Sequence, residues 1–259
     1  MAVLGINDSA NSGAAAIDKG VPLFAANEER FTGLKNDVGF PYHSVHYTIN
    51  SSEAEIEAVS LGWIGGNALI SRMFPSWDVK RRKLWRRELP KPSRISMHLS
   101  NFIYRLTQNQ HPRVLWRFVG NSVSSRITRK RLAKIDRSLV EKKLYIVEHH
   151  LAHAASAYYA SGFKEALVIT LDGAGDGLSG SISIGDNGEL KRLAEFAASS
   201  SLGILYGAAT VACDMRYSED EGKLMSLAAY SYPVSIPQLK KFCYYDEDRK
   251  QLVSKIKTR

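Results

Sequence analysis

The sequence predicts an α/β fold with a mixed sheet, and three observations carry that expectation. Short apolar runs separated by turn residues open the chain, a long stretch of helical pattern fills its middle, and strand signals return after residue 144. Ala2 to Ile6 reads as a first strand. The polar turn Asn7 to Gly13 leads into Ala14 to Ile17, and Asp18-Lys-Gly20 predicts a tight hairpin before Val21 to Asn27, so the amino terminus is expected to form a meander. After the charged loop Lys35-Asn-Asp-Val-Gly-Phe-Pro41, Pro41 suits the first turn of a helix through His43 to Asn50, where its missing donor is not needed. Glu57 to Gly62 supplies another strand. From about Ser71 to Leu144 the pattern is helical, interrupted by Pro90, Pro92 and Pro112, and reads as an insertion. Strands follow at Leu144 to Glu148, at Ala166 to Asp172 with Gly180 to Gly185, and at Glu189 to Phe196 beyond the turn Asp186-Asn-Gly188. Ser201 to Cys213 is expected to be a buried helix.

At 259 residues the chain can bury a sizeable core as one large domain or two lobes. No charged segment followed by a long apolar run opens it, so no signal peptide is expected and the cytoplasm is the expected compartment. Ala58 to Ile70 is apolar but glycine-interrupted and too short to span a bilayer. Cys213 and Cys243 lack metal-finger spacing and fit a reducing compartment. The net charge of +9 is concentrated between Arg72 and Lys143, where about twenty basic residues face about four acids. Such a block attracts RNA, anionic lipid or an acidic partner, but it equally describes the solvated faces of helices. Trp77, Trp85, Phe102, Tyr104, Trp116 and Phe118 read either as interleaved stacking groups or as apolar stripes, which leaves nucleic-acid binding a minor expectation.

The chemistry concentrates in Val147 to Ala157 and Asp172-Gly-Ala-Gly-Asp-Gly177. His149 and His153 stand four apart in a run of small residues that favours helix, so both imidazoles project from one face. Asp172 ends a short apolar run before a glycine-rich turn, where a carboxylate supplies a third ligand. Two nitrogens and one oxygen leave coordination positions open for substrate. The alternative is an ordinary helix face with an ordinary hairpin, but the repeated glycines also free the backbone to approach an anion closely.

Six motifs in order carry a family resemblance: Leu4-Gly-Ile-Asn7; Glu28-Glu-Arg-Phe31 with Lys35 and Gly39-Phe-Pro41; Glu148-His-His-Leu-Ala-His-Ala-Ala-Ser-Ala157; Leu171-Asp-Gly173 with Asp176; Ser201-Leu-Gly203 with Tyr206; and Glu221-Gly-Lys-Leu-Met225 before Leu227-Ala228. The chain resembles the O-carbamoyltransferases of the nodulation-protein and antibiotic-tailoring type. Their first domain has the actin/Hsp70/sugar-kinase-like (ribonuclease H-like) fold, related to the tRNA threonylcarbamoyl-transfer protein. The resemblance implies that residues 1–70 and 145–230 form an actin-like lobe, with a basic helical insertion at 71–144 and the start of an incomplete second lobe at 231–259. It also implies transfer of a carbamoyl group from carbamoyl-adenylate, made from carbamoyl phosphate and ATP, to a small-molecule hydroxyl.

By motif, His149, His153 and Asp172 would hold a divalent metal, Fe2+ by resemblance. Lys35 would lie near the transferred group as an electrostatic stabiliser, or stand as a solvated loop cation. Asn7, Gly173, Gly175, Asp176, Ser201 and Gly203 would line the nucleotide, and the glycines and the Ser201 turn would offer backbone amides to phosphate. Glu221 and Lys223 would contact nucleotide or acceptor, or act as a helix cap and a surface charge. Two departures qualify the match. Ala10 and Asn11 stand where the family usually has a His-Asp pair, and the family's adenylating domain lies beyond Arg259, so a carboxyl-terminal domain or split-gene partner is expected to complete the reaction. The competing expectations are a degenerate homologue that binds metal or nucleotide without catalysis, and an actin-like phosphotransferase.

Overall fold

The computed structural model describes residues 2–52, 54–63, 69, 72–74, 113–217, 219–232, 237–241, 243–248 and 251–254. The described residues fall into two compact units, one running to Ala152 and the other beginning at His153. Most of the expected basic insertion, with Trp77, Trp85, Phe102 and Tyr104, lies outside the described residues, as do the side chains of Trp116 and Phe118.

The first unit is built on a five-stranded mixed sheet of order β3-β2-β1-β4-β5, with β1 Ala2–Asn7, β2 Gly13–Asp18, β3 Val21–Asn27, β4 Ile56–Leu61 and β5 Lys143–Ile146. The first three strands form the antiparallel meander, whereas β4 pairs parallel with β1 and β5 parallel with β4. The Asp18-Lys-Gly20 signal becomes a two-residue turn with φ of 48° at Lys19 and 83° at Gly20, the left-handed pair whose twist matches adjoining strands. Strict alternation in β1 sends Ala2, Leu4 and Ile6 into a core with Val45, Val59, Leu61, Leu132 and Leu139. Burying each of its larger aliphatic side chains is worth about 1.5–3 kcal/mol.

Two helices follow β3: α1 Glu29–Thr32 and α2 Tyr42–Ser51, with Pro41 immediately before the second as expected. Glu28 holds the entrance to α2, since its buried carboxylate accepts from the backbone amides of His43 and Ser44 at 3.0 and 2.8 Å and from His43 Nδ1 at 2.7 Å. Burial by itself would raise this carboxyl, but those hydrogen bonds outweigh it and hold Glu28 below its ordinary value.

The longest described element of the basic stretch is the 20-residue helix α3, Arg113–Leu132. Gly120, Ser124, Thr128 and Leu132 recur every fourth residue as its buried stripe, while Arg126 and Lys130 are exposed. Not every cation of this block is solvated. Arg72 is fully buried and forks onto Asp8, with Nε and a terminal nitrogen donating to the two carboxylate oxygens at 2.8 and 2.9 Å, while it also donates to Ser124 Oγ at 2.8 Å. Arg131 donates to the Arg72 carbonyl at 2.8 Å, and burial pulls its guanidinium below the ordinary value against the opposing pull of Asp8.

Helix α4, His149–Ser161, begins in the first unit and continues into the second. The second unit contains a three-stranded antiparallel sheet of β6 Glu165–Gly175, β7 Leu178–Asp186 and β8 Glu189–Ala197. Both hairpins turn on two left-handed residues: Asp176 and Gly177 at 51° and 86°, then Asn187 and Gly188 at 45° and 88°. Tyr158 of α4 packs against Gly185, where a Cβ would meet its ring, and with Ala154 and Val168 it forms a second core. Helices α5, Leu202–Ala212, and α6, Glu221–Leu227, follow, and β9 Cys243–Asp246 pairs with β10 Gln251–Ser254 in a separate hairpin.

The expected burial of Ser201 to Cys213 is corrected. Within α5 only Gly207 and Thr210 are buried, and Tyr206 and Val211 are exposed. The helix packs through its small-residue side, with Gly207 admitting the ring of Tyr217, so its apolar composition overstated its burial. Helix α1 and the β9-β10 hairpin were absent from the sequence expectation because both are too short for a clear period.

Candidate functional site

The parallel strands of the first unit end together. Gly62 N–H donates to the Ile6 carbonyl at 3.3 Å and Val147 N–H to the Leu61 carbonyl at 2.7 Å, which sets Asn7 at the carboxyl end of β1 and Trp63 and His149 just beyond those of β4 and β5. That edge is where ligands bind in sheets of this kind, because the chain reverses there and side chains converge. Glu148 starts α4: its carboxylate accepts from the amides of His150 at 3.0 Å and Leu151 at 2.9 Å, satisfying donors that the first helical turn leaves without an internal partner.

One turn of α4 separates His149 from His153, so the helix itself sets their spacing. Within the second unit His153 Nε2 stands 3.7 Å from Asp172 Oδ2, and the helix carries His149 on the same face one turn earlier. His149 is 7% exposed, whereas the side chains of His153 and Asp172 are 51% and 37% exposed. Donors bound to one ion at 2.0–2.2 Å lie about 3–4 Å apart. Two imidazoles with one carboxylate form a donor set suited to iron-type and similar divalent ions.

The second unit fixes Asp172 through its backbone. Ser201, directly before α5, accepts from Ile204 N–H at 3.0 Å and donates to the Asp172 carbonyl at 2.9 Å, so one hydroxyl both caps the helix and ties it to β6. A Cβ at Gly203 would lie 2.7 Å from Gly173 N and 2.9 Å from the Asp172 carbonyl carbon. Asp172 Oδ1 accepts from Gly173 N–H. The β6-β7 register shifts between Leu171 and Gly175, which loosens the ladder where the Asp172 carboxylate sits.

The remaining expected site residues are distributed differently. Asn7 organises the first loop, donating to the carbonyls of Ala10 and Asn11 at 3.0 and 3.1 Å and accepting from Ser9 N–H and Trp63 Nε1 at 3.2 Å each. Asn11 adopts a left-handed φ of 53°. Lys35 is exposed in the turn after α1. Gly175 and Asp176 lie at the β6-β7 turn. Glu221 opens α6, and Lys223 Nζ pairs with Asp220 Oδ1 at 2.9 Å. Asp220 also accepts from the Arg216 guanidinium, and that hydrogen bond, then the one from Lys223 and the one from the Arg216 backbone, hold its carboxyl far below the ordinary range. Sequence reasoning did not single out Trp63, Arg72, Asp8 or Asp220 as site-supporting residues. Trp63 and Arg72 carried no local signal that would have found them, and their partners are distant in sequence.

Among the described residues, no helix is long and apolar enough to cross a membrane. An uncharacterised protein of Methanocaldococcus jannaschii is 31% identical over 229 residues, covering 88% of this chain and 33% of that protein. An uncharacterised protein of Synechocystis is 28% identical over 236 residues, covering 89% of this chain and 35% of that protein. The nodulation protein NolNO of Sinorhizobium fredii is 44% identical over 91 residues, covering 35% of this chain and 13% of that protein. The chain thus spans about a third of the length of the first two relatives. The carbamoyltransferase N-terminus family matches residues 2–244, nearly the whole sequence, and this chain belongs to that family.

Proposed function

We propose that this chain forms the transfer portion of a carbamoyltransferase that moves a carbamoyl group from carbamoyl-adenylate to a hydroxyl of a small molecule. The observation that carries the reading is the approach of His153 to Asp172, with His149 one helical turn away, in a chain of this family. The mixed sheet supports an actin-like lobe built from residues 1–70 and 145–230, with a basic insertion between them and the opening of a second lobe at 231–259. Carbamoyl-adenylate would come from carbamoyl phosphate and ATP in a carboxyl-terminal portion or partner, and the reading places the reaction in the cytoplasm.

His149 and His153 would hold a divalent ion, Fe2+ in this reading, through neutral imidazole nitrogens, with Asp172 as the anionic ligand. Such an ion, when bound, polarises a carbonyl and offsets phosphate charge. Lys35 would add positive charge beside the transferred group, while amides at Gly173, Gly175 and the Ser201–Gly203 turn, with Asn7, Asp176, Glu221 and Lys223, would orient the adenylate. The acceptor oxygen bonds to the carbamoyl carbon as that carbon's bond to the phosphate oxygen breaks. AMP departs, and the hydroxyl proton passes to solvent. Combining this chain with the carboxyl-terminal portion of a family protein, carbamoyl phosphate, ATP and a hydroxyl acceptor should yield carbamoylated product, and H149A, H153A or D172A should abolish it. An inert combination that still binds metal would sink catalysis.

Ala10 and Asn11 favour a second reading, a homologue that keeps metal or nucleotide binding without transfer. Here the chain would bind the ion through the same three side chains, and no carboxyl-terminal partner would restore product.

A further inference from the structure

We infer that Trp63 is a positioning residue for the metal ligand His149, acting through its indole ring; the inference rests on the metal-binding reading of His149, His153 and Asp172. The two ring centroids lie 4.0 Å apart with planes inclined at 47°, and the His150 ring stands at 85° to His149 with centroids 5.2 Å apart. His149 is therefore bounded by two aromatic rings and is 7% exposed, in contrast to the half-exposed His153.

Trp63 is itself fixed at both ends. Its indole N–H donates to Asn7 Oδ1 at 3.2 Å, and its carbonyl accepts from the two terminal nitrogens of Arg72 at 3.4 and 3.3 Å. Asn7 is anchored to Ala10, Asn11 and Ser9, and Arg72 is clamped by the buried Asp8 carboxylate. The rigidity of the first loop thus reaches the imidazole through one indole. A ligand ring already held loses less rotational freedom on coordination, and the apolar indole face keeps water from one side of it. His149 becomes the pre-set member of the ligand pair, and the half-exposed His153 the less enclosed one.

The test is a Co2+ titration of the 259-residue chain, read by visible absorption and by tryptophan fluorescence. Wild type should bind saturably with quenching of the emission component that W63F lacks. W63L, which removes the ring plane, should weaken Co2+ about tenfold and alter the visible spectrum, and W63F should stay within about threefold of wild type. A merely structural role would leave the spectrum of the folded variant unchanged. Equal affinity and identical spectra for W63L and wild type overturn the inference while leaving the metal site standing. If W63L fails to fold, saturating Co2+ that leaves the Trp63 emission undiminished in wild type overturns it instead. Absence of saturable Co2+ binding in wild type, or unchanged binding in H149A, overturns the metal reading and this inference together.

Discussion

Ser201 Oγ donates to the Asp172 carbonyl at 2.9 Å while accepting from Ile204 N–H, so the hydroxyl that starts one helix also holds the part of β6 bearing the candidate carboxylate ligand. Replacing Ser201 with Ala removes both bonds. The variant should lose about 1 kcal/mol of stability, the usual worth of a helix cap, in urea unfolding. It should also bind Co2+ more weakly than wild type.

Gly203 offers a sharper contrast. In Gly203→Ala the new methyl must push against the Asp172–Gly173 backbone, which has no flexible side-chain end to yield. A loss of about 1–3 kcal/mol is expected, as for overpacking elsewhere, together with impaired Co2+ binding. Gly222→Ala, with open space at its Cβ, should change neither property, and equal behaviour of the two variants would argue against this packing role.

The buried Asp8–Arg72 pair predicts strong coupling. Arg72→Met leaves the Asp8 carboxylate buried without its fork, at a cost of about 3–5 kcal/mol. Removing both charges in D8N/R72M should cost clearly less than the two single changes added together. Additive losses in urea unfolding would show that the two side chains do not act as a pair.

Glu28 predicts an acid limit on the first unit. Its folded-state carboxyl is held below the ordinary 4.5, so the stability it contributes is fully present above that value and is lost as pH falls through the depressed folded value. Glu28→Gln should lower stability at neutral pH and flatten this part of the acid dependence in thermal scans. A variant that keeps the wild-type slope below the ordinary carboxylate range would refute the assignment.

Local pattern alone determined the parts governed by local chemistry. The turns at Lys19-Gly20 and Asn187-Gly188 were legible because few residues accept the paired left-handed conformation, whereas β6 continues past Asp172, its expected end, to Gly175 before turning at Asp176-Gly177. The common face of His149 and His153 was legible because four residues make about one helical turn. The rest depended on the chain folding back on itself. Asp8 meets Arg72 across 64 positions, Trp63 stacks on His149, and Gly203 rests on the Asp172–Gly173 backbone; no periodicity records such encounters. Tertiary structure also decided that α5, apolar in composition, buries only Gly207 and Thr210, because burial follows from which face finds a neighbour. The sequence therefore determined the candidate ligand types and their helical spacing, while tertiary structure decided that Asp172 stands beside His153, because no local period records the approach of a strand to a helix.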